Sequence, residues 1–162
     1  MASYPNRTKK KSNRTCYEAA LHLLQYRGQS EAELRKKLKD REYGAGDIEK
    51  TVEKLKYYGY VNDESLAEDV FRSFRVRRCY GDTYIHLKMK DRGLPCPWHI
   101  PDEEERDNAL SLLTMKSKIV PSILTNYRKA ASFLLRRGFS SSAVRHALTE
   151  LDVRDRDFED EM

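Results

Sequence analysis

One pattern occurs twice in this chain, and it constrains the fold more than any single residue does. Tyr17–Leu38 reads YEAALHLLQYRGQSEAELRKKL and Tyr127–Leu148 reads YRKAASFLLRRGFSSSAVRHAL, and the two align without a gap. Tyr17/Tyr127, Ala20/Ala130, Leu24/Leu134, Arg27/Arg137, Gly28/Gly138, Ser30/Ser140, Arg35/Arg145 and Leu38/Leu148 are identical. Each copy reads as an apolar-periodic helix, an Arg-Gly stop, a serine N-cap and a second helix. Repeated helical units bury a continuous core by stacking and present a long surface, not a closed pocket. The expected fold is therefore all-α, with tandem three-helix repeats stacked into an elongated, curved body. Such a surface suits a large partner better than it suits catalysis.

The periodicity divides the rest of the chain. Residues 1–14 read as a disordered basic arm. In repeat 1 (15–61), Tyr17, Ala20, Leu21 and Leu24 share a helical face, and Gly28 ends that helix. Ser30 with Glu33 forms a capping box for a helix facing inward through Leu34 and Leu38. A third helix buries Ile48, Val52 and Leu55 and stops at Gly59. In repeat 2 (62–101), Asp63 caps a helix with Leu66, Ala67, Val70, Phe71 and Phe74 as its stripe. Gly81-Asp82 starts another, with Ile85 and Met89 inward and a stop at Gly93. Its KMKDR (Lys88 to Arg92) matches KLKDR (Lys37 to Arg41), a weaker copy of repeat 1. Leu94 to Pro101 reads LPCPWHIP, where three prolines exclude a regular helix. The third helix of this repeat is missing or reduced to one turn. In repeat 3 (102–151), Asp102 and Glu105 read as a capping box before Ala109, Leu110 and Leu113. Ile123, Tyr127, Ala130 and Leu134 then open the strong copy, and Val144, Leu148 and Leu151 line its second helix. Residues 152–162 form an acidic tail.

Charge narrows the class of partner. The formal net charge is +5. The arm carries Arg7, Lys9, Lys10, Lys11 and Arg14 with no acid, and the body stays basic. That balance suits a nucleic acid or nucleoprotein, although charge runs also serve as solvated surface. Apolar residues make up 39% of the chain, too many for disorder. Cys16, Cys79 and Cys96 have no paired spacing, no apolar leader opens the chain, and no run is long enough to cross a bilayer. These features read as a soluble protein of a reducing compartment; a monomer is expected.

Three segments, in order, resemble the RecX family of bacterial regulators of the RecA recombinase. AALHLLQYRGQSEAELRKKL is similar to the family's opening pattern. Tyr58-Gly59-Tyr60-Val61-Asn62-Asp63-Glu64-Ser65-Leu66-Ala67 is similar to its junction between the first two repeats. Phe133-Leu134-Leu135-Arg136-Arg137-Gly138-Phe139-Ser140 is similar to its C-terminal signature. The resemblance covers about residues 16–150. It departs from the family where Arg92-Gly93-Leu94 runs into LPCPWHIP, and where an acidic tail stands in place of a last helix. It implies a cytoplasmic, non-enzymatic protein that lies along RecA filaments on single- or double-stranded DNA. There it would reduce ATP hydrolysis, strand exchange and co-protease activity, and so temper recombinational repair and the SOS response. The alternative is a helical module acting on naked DNA, which the helix-turn-helix spacing of Leu21 to Leu38 permits.

The first candidates for partner contact are Arg72, Arg75, Arg77 and Arg78, because four arginines near one helix end exceed what the helix dipole needs. Lys88, Lys90 and Arg92 follow, then Arg128, Lys129, Arg136 and Arg137. The plain alternative for each is solvated surface. Arg27 and Arg137, beside their glycines, suit hydrogen bonds to the last helix carbonyls equally well. Tyr57, Tyr58, Tyr60, Tyr80 and Tyr84 could stack on bases, but read more naturally as half-buried junction packing. Trp98 is expected to cover the core where a helix is missing, and His22 and His146 to lie at the surface. Cys79, His86, Cys96 and His99 can be written as a zinc set, but Cys79 and His86 straddle a helix start, so neither metal nor cofactor is expected. No phosphate-loop, zinc-protease or serine-nucleophile motif occurs, and Glu103, Glu104 and Glu105 suit a helix N-terminus.

Overall fold

The computed structural model describes residues 14–153. The arm before Arg14 and the tail after Val153 lie outside the described residues. The helices are α1 (Cys16–Leu24), α2 (Glu31–Lys39), α3 (Ala45–Tyr57), α4 (Asp63–Arg77), α5 (Asp82–Asp91), α6 (Asp102–Ile119), α7 (Tyr127–Leu135) and α8 (Ser141–Glu150). A 3₁₀ turn, Pro121–Thr125, joins α6 to α7. No strand occurs among the described residues, and none of their helices is long and apolar enough to cross a membrane. The chain forms two compact units, Met1–Asp63 and Glu64–Met162.

The first unit closes α1, α2 and α3 around Cys16, Ala19, Ala20, Leu34, Leu38, Ile48, Val52, Leu55 and Val61. Capping boxes at Thr15–Glu18 and Ser30–Glu33 satisfy the leading amides of α1 and α2. The first of these boxes escaped the sequence reading. α1 stops at Leu24, short of Gly28. Gln29, buried in the turn, donates from Nε2 toward the carbonyls of Leu23 and Arg27, at 3.5 and 3.4 Å. Its side-chain oxygen accepts from Lys37 Nζ at 2.6 Å. Asp63, expected to cap its own helix, is instead the first residue of α4, and its carboxylate accepts the Glu31 amide at the head of α2 at 3.0 Å. Burial raises the pKa of that carboxyl above its ordinary value.

One backbone device ends five of the helices. An amide reaches back five residues to a carbonyl: Tyr43 to Leu38, Tyr60 to Leu55, Leu94 to Met89, Phe139 to Leu134 and Val153 to Leu148, at 2.9–3.4 Å. The residue just before each of these amides lies in the left-handed region. These are Glu42, Gly59, Gly93, Gly138 and Asp152, with φ between 47° and 78°. This is the Schellman closure, which satisfies orphan carbonyls and turns the chain sharply toward its next helix. Leu38, Met89 and Leu148 each accept such a bond at the end of α2, α5 and α8, so the repeat is visible in the backbone as well as in the letters.

The second unit contains two apolar clusters. Ala67, Phe71, Ile85, Met89, Leu94 and Ile100 pack between α4, α5 and the segment after α5. Residues 94–101 carry no helix. Trp98 lies against Phe71, with ring centroids 5.6 Å apart, and so covers the core as expected. Ala109, Leu113, Ile123, Ala130, Leu134, Phe139, Ala143, Val144, Ala147, Leu148 and Val153 join α6, α7, the 3₁₀ turn and α8. Ile123 belongs to that turn and not to α7, while Tyr127, the counterpart of Tyr17, is exposed.

Two contacts seen only in three dimensions tie these clusters together. Gly81 N–H donates to the Arg137 carbonyl at 2.8 Å, and a Cβ on either Gly81 or Gly138 would collide with facing backbone. Glu105 does not reach back to form the expected capping box. It is 4% exposed, and its carboxylate accepts the Asp82 amide at 2.9 Å, at the start of α5. Pro101 stands at the N-cap of α6 without a side-chain cap bond.

These closures predict the outcome of three substitutions in urea unfolding. Gly138→Ala combines a left-handed φ with a clash against the backbone of Tyr84, and should cost about 2 kcal/mol or more. Gly46→Ala meets nothing within 4 Å, and should gain roughly 0.5–1 kcal/mol. Glu42→Gly relieves a left-handed side-chain residue and should gain up to about 1 kcal/mol.

Candidate partner interface

The candidate cations all lie in the second unit, where the fold sorts them into two kinds. Arg75 on α4 grips Glu104 on α6 with two nitrogens, Nε at 2.9 Å and Nη2 at 2.6 Å. This fork holds the Glu104 carboxyl below its ordinary pKa and raises that of the guanidinium. Arg72 is neutralised on its own helix by Glu68 at 2.6 Å and Asp69 at 3.5 Å. Arg137 is half-buried, with its guanidinium carbon 4.9 Å from the Phe133 ring centre and 5.8 Å from that of Tyr80. Its Nη1 donates to the Cys79 carbonyl at 3.4 Å. Lys88 reaches Asp91 at 3.8 Å and lies over Tyr84. Arg92 is half-buried at the end of α5.

The second kind remains available. Arg77, Arg78, Lys90, Arg128, Lys129 and Arg136 are exposed, and none forms an ion pair with an acidic group among the described residues. Arg77 lies 5.9 Å from the Phe74 ring centre, and Arg78 holds a left-handed φ of 52° just past α4. Arg128 and Lys129 occupy the first turn of α7, where no acid offsets them. Cations there oppose the helix dipole, so they gain from an external anion more than surface lysines elsewhere would.

Two arginines of the first unit are paired internally. Arg27 pairs with Glu33 at 2.8 Å, and Arg35 bridges Glu31 and Glu49, both at 2.9 Å. Lys56 completes the cluster on Glu31 at 2.7 Å. Its hydrogen bond, ahead of that from Arg35, lowers the Glu31 pKa against the opposing effect of burial. Neither Arg27 nor Arg137 therefore takes the role, open to both, of binding its own helix's last carbonyls. In the first unit Gln29 performs that task.

The tyrosines divide as well. Tyr80 and Tyr84 stack with centroids 4.3 Å apart, and Phe74 meets them edge-on. Tyr57, Tyr58 and Tyr60, expected to be half-buried, are 84%, 59% and 59% exposed. They fall around the turn at Gly59 beyond the last inward residue of α3, Leu55, and Val61 takes the buried place that follows. His22 and His146 are half-buried and not fully at the surface; His22 packs edge-on against Tyr26.

The four residues that the sequence reading set aside as zinc ligands are only partly brought together. Cys79 turns away, its thiol donating to the Arg77 carbonyl at 3.0 Å. His86, Cys96 and His99 stay together and gain Asp82, a residue the spacing argument passed over. Asp82 Oδ2 lies 2.7 Å from His99 Nδ1 and 3.5 Å from His86 Nε2. Cys96 Sγ lies 3.8 Å from that same His86 nitrogen. Asp82 and His86 are one helical turn apart on α5, a spacing that places them on one face.

Known proteins resemble this chain over most of its length. A family model described as RecX, first three-helix domain, matches residues 16–55. The Regulatory protein RecX of Xanthomonas campestris pv. campestris is 31% identical over 160 residues, covering 95% of this chain and 98% of that one. The Regulatory protein RecX of Trichlorobacter lovleyi is 30% identical over 141 residues, covering 80% and 91%. The crystal structure of RecX from Lactobacillus salivarius superposes with a TM-score of 0.67 at 22% identity, covering 86% of this chain and 96% of that one. That last likeness concerns the fold.

The Arg75–Glu104 fork carries a pH prediction. The folded pKa of Glu104 is depressed, so its contribution is present above the unfolded carboxylate value and is lost as pH falls through the folded one. Both groups are partly exposed, with side-chain accessibilities of 46% for Arg75 and 26% for Glu104. A double-mutant cycle with Arg75→Ala and Glu104→Ala should therefore return less than about 1 kcal/mol of coupling at neutral pH. The coupling should vanish once the carboxylate is protonated.

Proposed function

Because this chain belongs to the RecX family of regulatory proteins, we propose that it binds RecA filaments on DNA and inhibits them. In this reading it is a cytoplasmic monomer, not an enzyme, and it lowers ATP hydrolysis, strand exchange and co-protease activity, restraining recombinational repair and the SOS response. The observation that carries the reading is that six of the candidate cations, Arg77, Arg78, Lys90, Arg128, Lys129 and Arg136, are exposed and form no ion pair with an acid among the described residues. A regulator of a nucleoprotein needs charge that its own fold has not neutralised. Among the described residues, Arg72 and Arg75 are ion-paired and those six are not.

The mechanism is steric and electrostatic. Uncompensated arginines attract a phosphate-bearing or acidic filament surface at long range and form bidentate contacts at short range. Helical units bound across neighbouring recombinase subunits then resist the rearrangement that turnover and strand exchange require. A chain attached at several points gains avidity over any single contact.

The test is RecA ATP hydrolysis on single-stranded DNA, titrated with this protein far below one copy per recombinase monomer. Inhibition at such ratios is expected. The combined variant Arg77→Ala, Arg78→Ala and Arg136→Ala should weaken it severalfold. Stability should fall by less than about 0.5 kcal/mol per site, since none of the three holds an internal ion pair. No inhibition, together with tight and steeply salt-dependent binding to bare DNA, would overturn the filament reading in favour of a DNA-binding module.

A further inference from the structure

The cluster where the segment after α5 folds back onto that helix has no part in the proposed interface. We infer that Asp82, His86, Cys96 and His99 form a binding site for a divalent transition ion of the zinc class, a structural clasp for the helix-free segment. Three observations support this: the donor set, its spacing and its geometry.

The donors are two imidazoles, a carboxylate and a thiol, the ligand types zinc selects. They come as two compact pairs. Asp82 and His86 lie one turn apart on α5, and Cys96-Pro97-Trp98-His99 places a thiol and an imidazole three residues apart on the facing segment. Pro97 restricts the backbone between them, and Trp98, packed on Phe71, anchors the centre of the pair.

The distances approach those of a tetrahedral site. Metal–ligand bonds of about 2.0–2.3 Å set ligand-to-ligand edges of roughly 3.3–3.8 Å. Asp82 Oδ2 to His86 Nε2 is 3.5 Å, and His86 Nε2 to Cys96 Sγ is 3.8 Å. The chosen donor atoms of Asp82, His86 and His99 all lie within 4.8 Å of one another, whereas the Cys96 thiol, close only to His86, must swing inward to become the fourth ligand. Asp82 Oδ2 and His99 Nδ1 are at hydrogen-bond distance, 2.7 Å, and must open by roughly half an ångström to admit an ion. His86 Nε2 lies 3.0 Å from the Trp98 carbonyl and must give up that contact to become a ligand.

The surroundings also resemble a supported metal site. The second carboxylate oxygen, Asp82 Oδ1, accepts the Ile100 amide at 2.8 Å, the kind of outer contact that orients a ligating carboxylate. The His86 and His99 rings stack 4.5 Å apart and must splay for both nitrogens to face one ion. Burial and the Asp82 charge raise the Cys96 thiol pKa, and a bound cation would reverse that bias. An ion here would cross-link α5 to the segment that replaces a helix, so its binding should be coupled to stability.

The test uses the full chain, stripped by a chelator and titrated with zinc chloride by calorimetry. One zinc per chain with Kd below about 1 µM is expected, along with a rise in Tm that chelator reverses. Cobalt(II) should give the intense visible bands of tetrahedral coordination and a thiolate-to-cobalt charge-transfer band. Cys96→Ser should abolish that charge-transfer band, and His99→Ala should weaken zinc binding tenfold or more. Zinc binding weaker than about 100 µM would overturn the assignment. So would unchanged affinity in a His86→Ala, His99→Ala double variant that keeps its helical circular dichroism.

Discussion

The bond on which this architecture depends is a backbone amide reaching back five residues to close a helix end. It occurs after α2, α3, α5, α7 and α8. A helix that ends this way does not fray into a loop of arbitrary direction. Its last carbonyls are satisfied and its exit angle is set, so the next helix starts within a few residues on the correct side. Short helices of nine or ten residues, marginal alone, hold together because both ends are finished. In α2 and α8 a serine cap finishes the front and a left-handed closure the back, and in α7 Asn126 takes the place of the serine.

Much of this was legible because it is local. Ser30, Ser140, Gly59, Gly93 and the spacing of Leu34/Leu38 and Ile85/Met89 each act within one turn, and the structure places them as the letters suggest. The failures share a different cause. Asp63, Glu105 and Asp82 look like ordinary helix-starting acids, yet each accepts an amide from elsewhere in the chain. A carboxylate has no periodicity that reveals its partner. Glu42 and Asp152 adopt left-handed backbone without being glycine, so the closures they make were invisible. Gly28 and Gly138 are aligned and identical, yet only Gly138 lies in the left-handed region. The same letter serves two backbones because Gln29 supplies the bonds in one turn and a Schellman closure supplies them in the other.

The candidate surface follows the same logic. Counting arginines cannot tell a clasp from a contact. Arg75 and Arg137 hold elements of the second unit to one another, whereas Arg77, Arg78 and Arg136, one to three residues away, are exposed. What distinguishes them is the acid or carbonyl each meets, and those partners come from α6 and from the end of α4. Sequence proximity therefore says little about role in this region. The imidazole, thiol and carboxylate cluster makes the same point, since its missing member was an aspartate that no spacing rule for cysteine and histidine would include.

The joint at Gly81 and Gly138 differs in kind from its neighbours. It consists of peptide groups and close approach, with no side chain on either glycine. The Arg75–Glu104 fork beside it is an electrostatic contact, weakened by salt and by acid. Two clusters joined by both would respond unequally to their surroundings. As ionic strength rises the charged contact loosens while the peptide contact holds its position, so concentrated salt should relax the surface of the second unit without opening that joint.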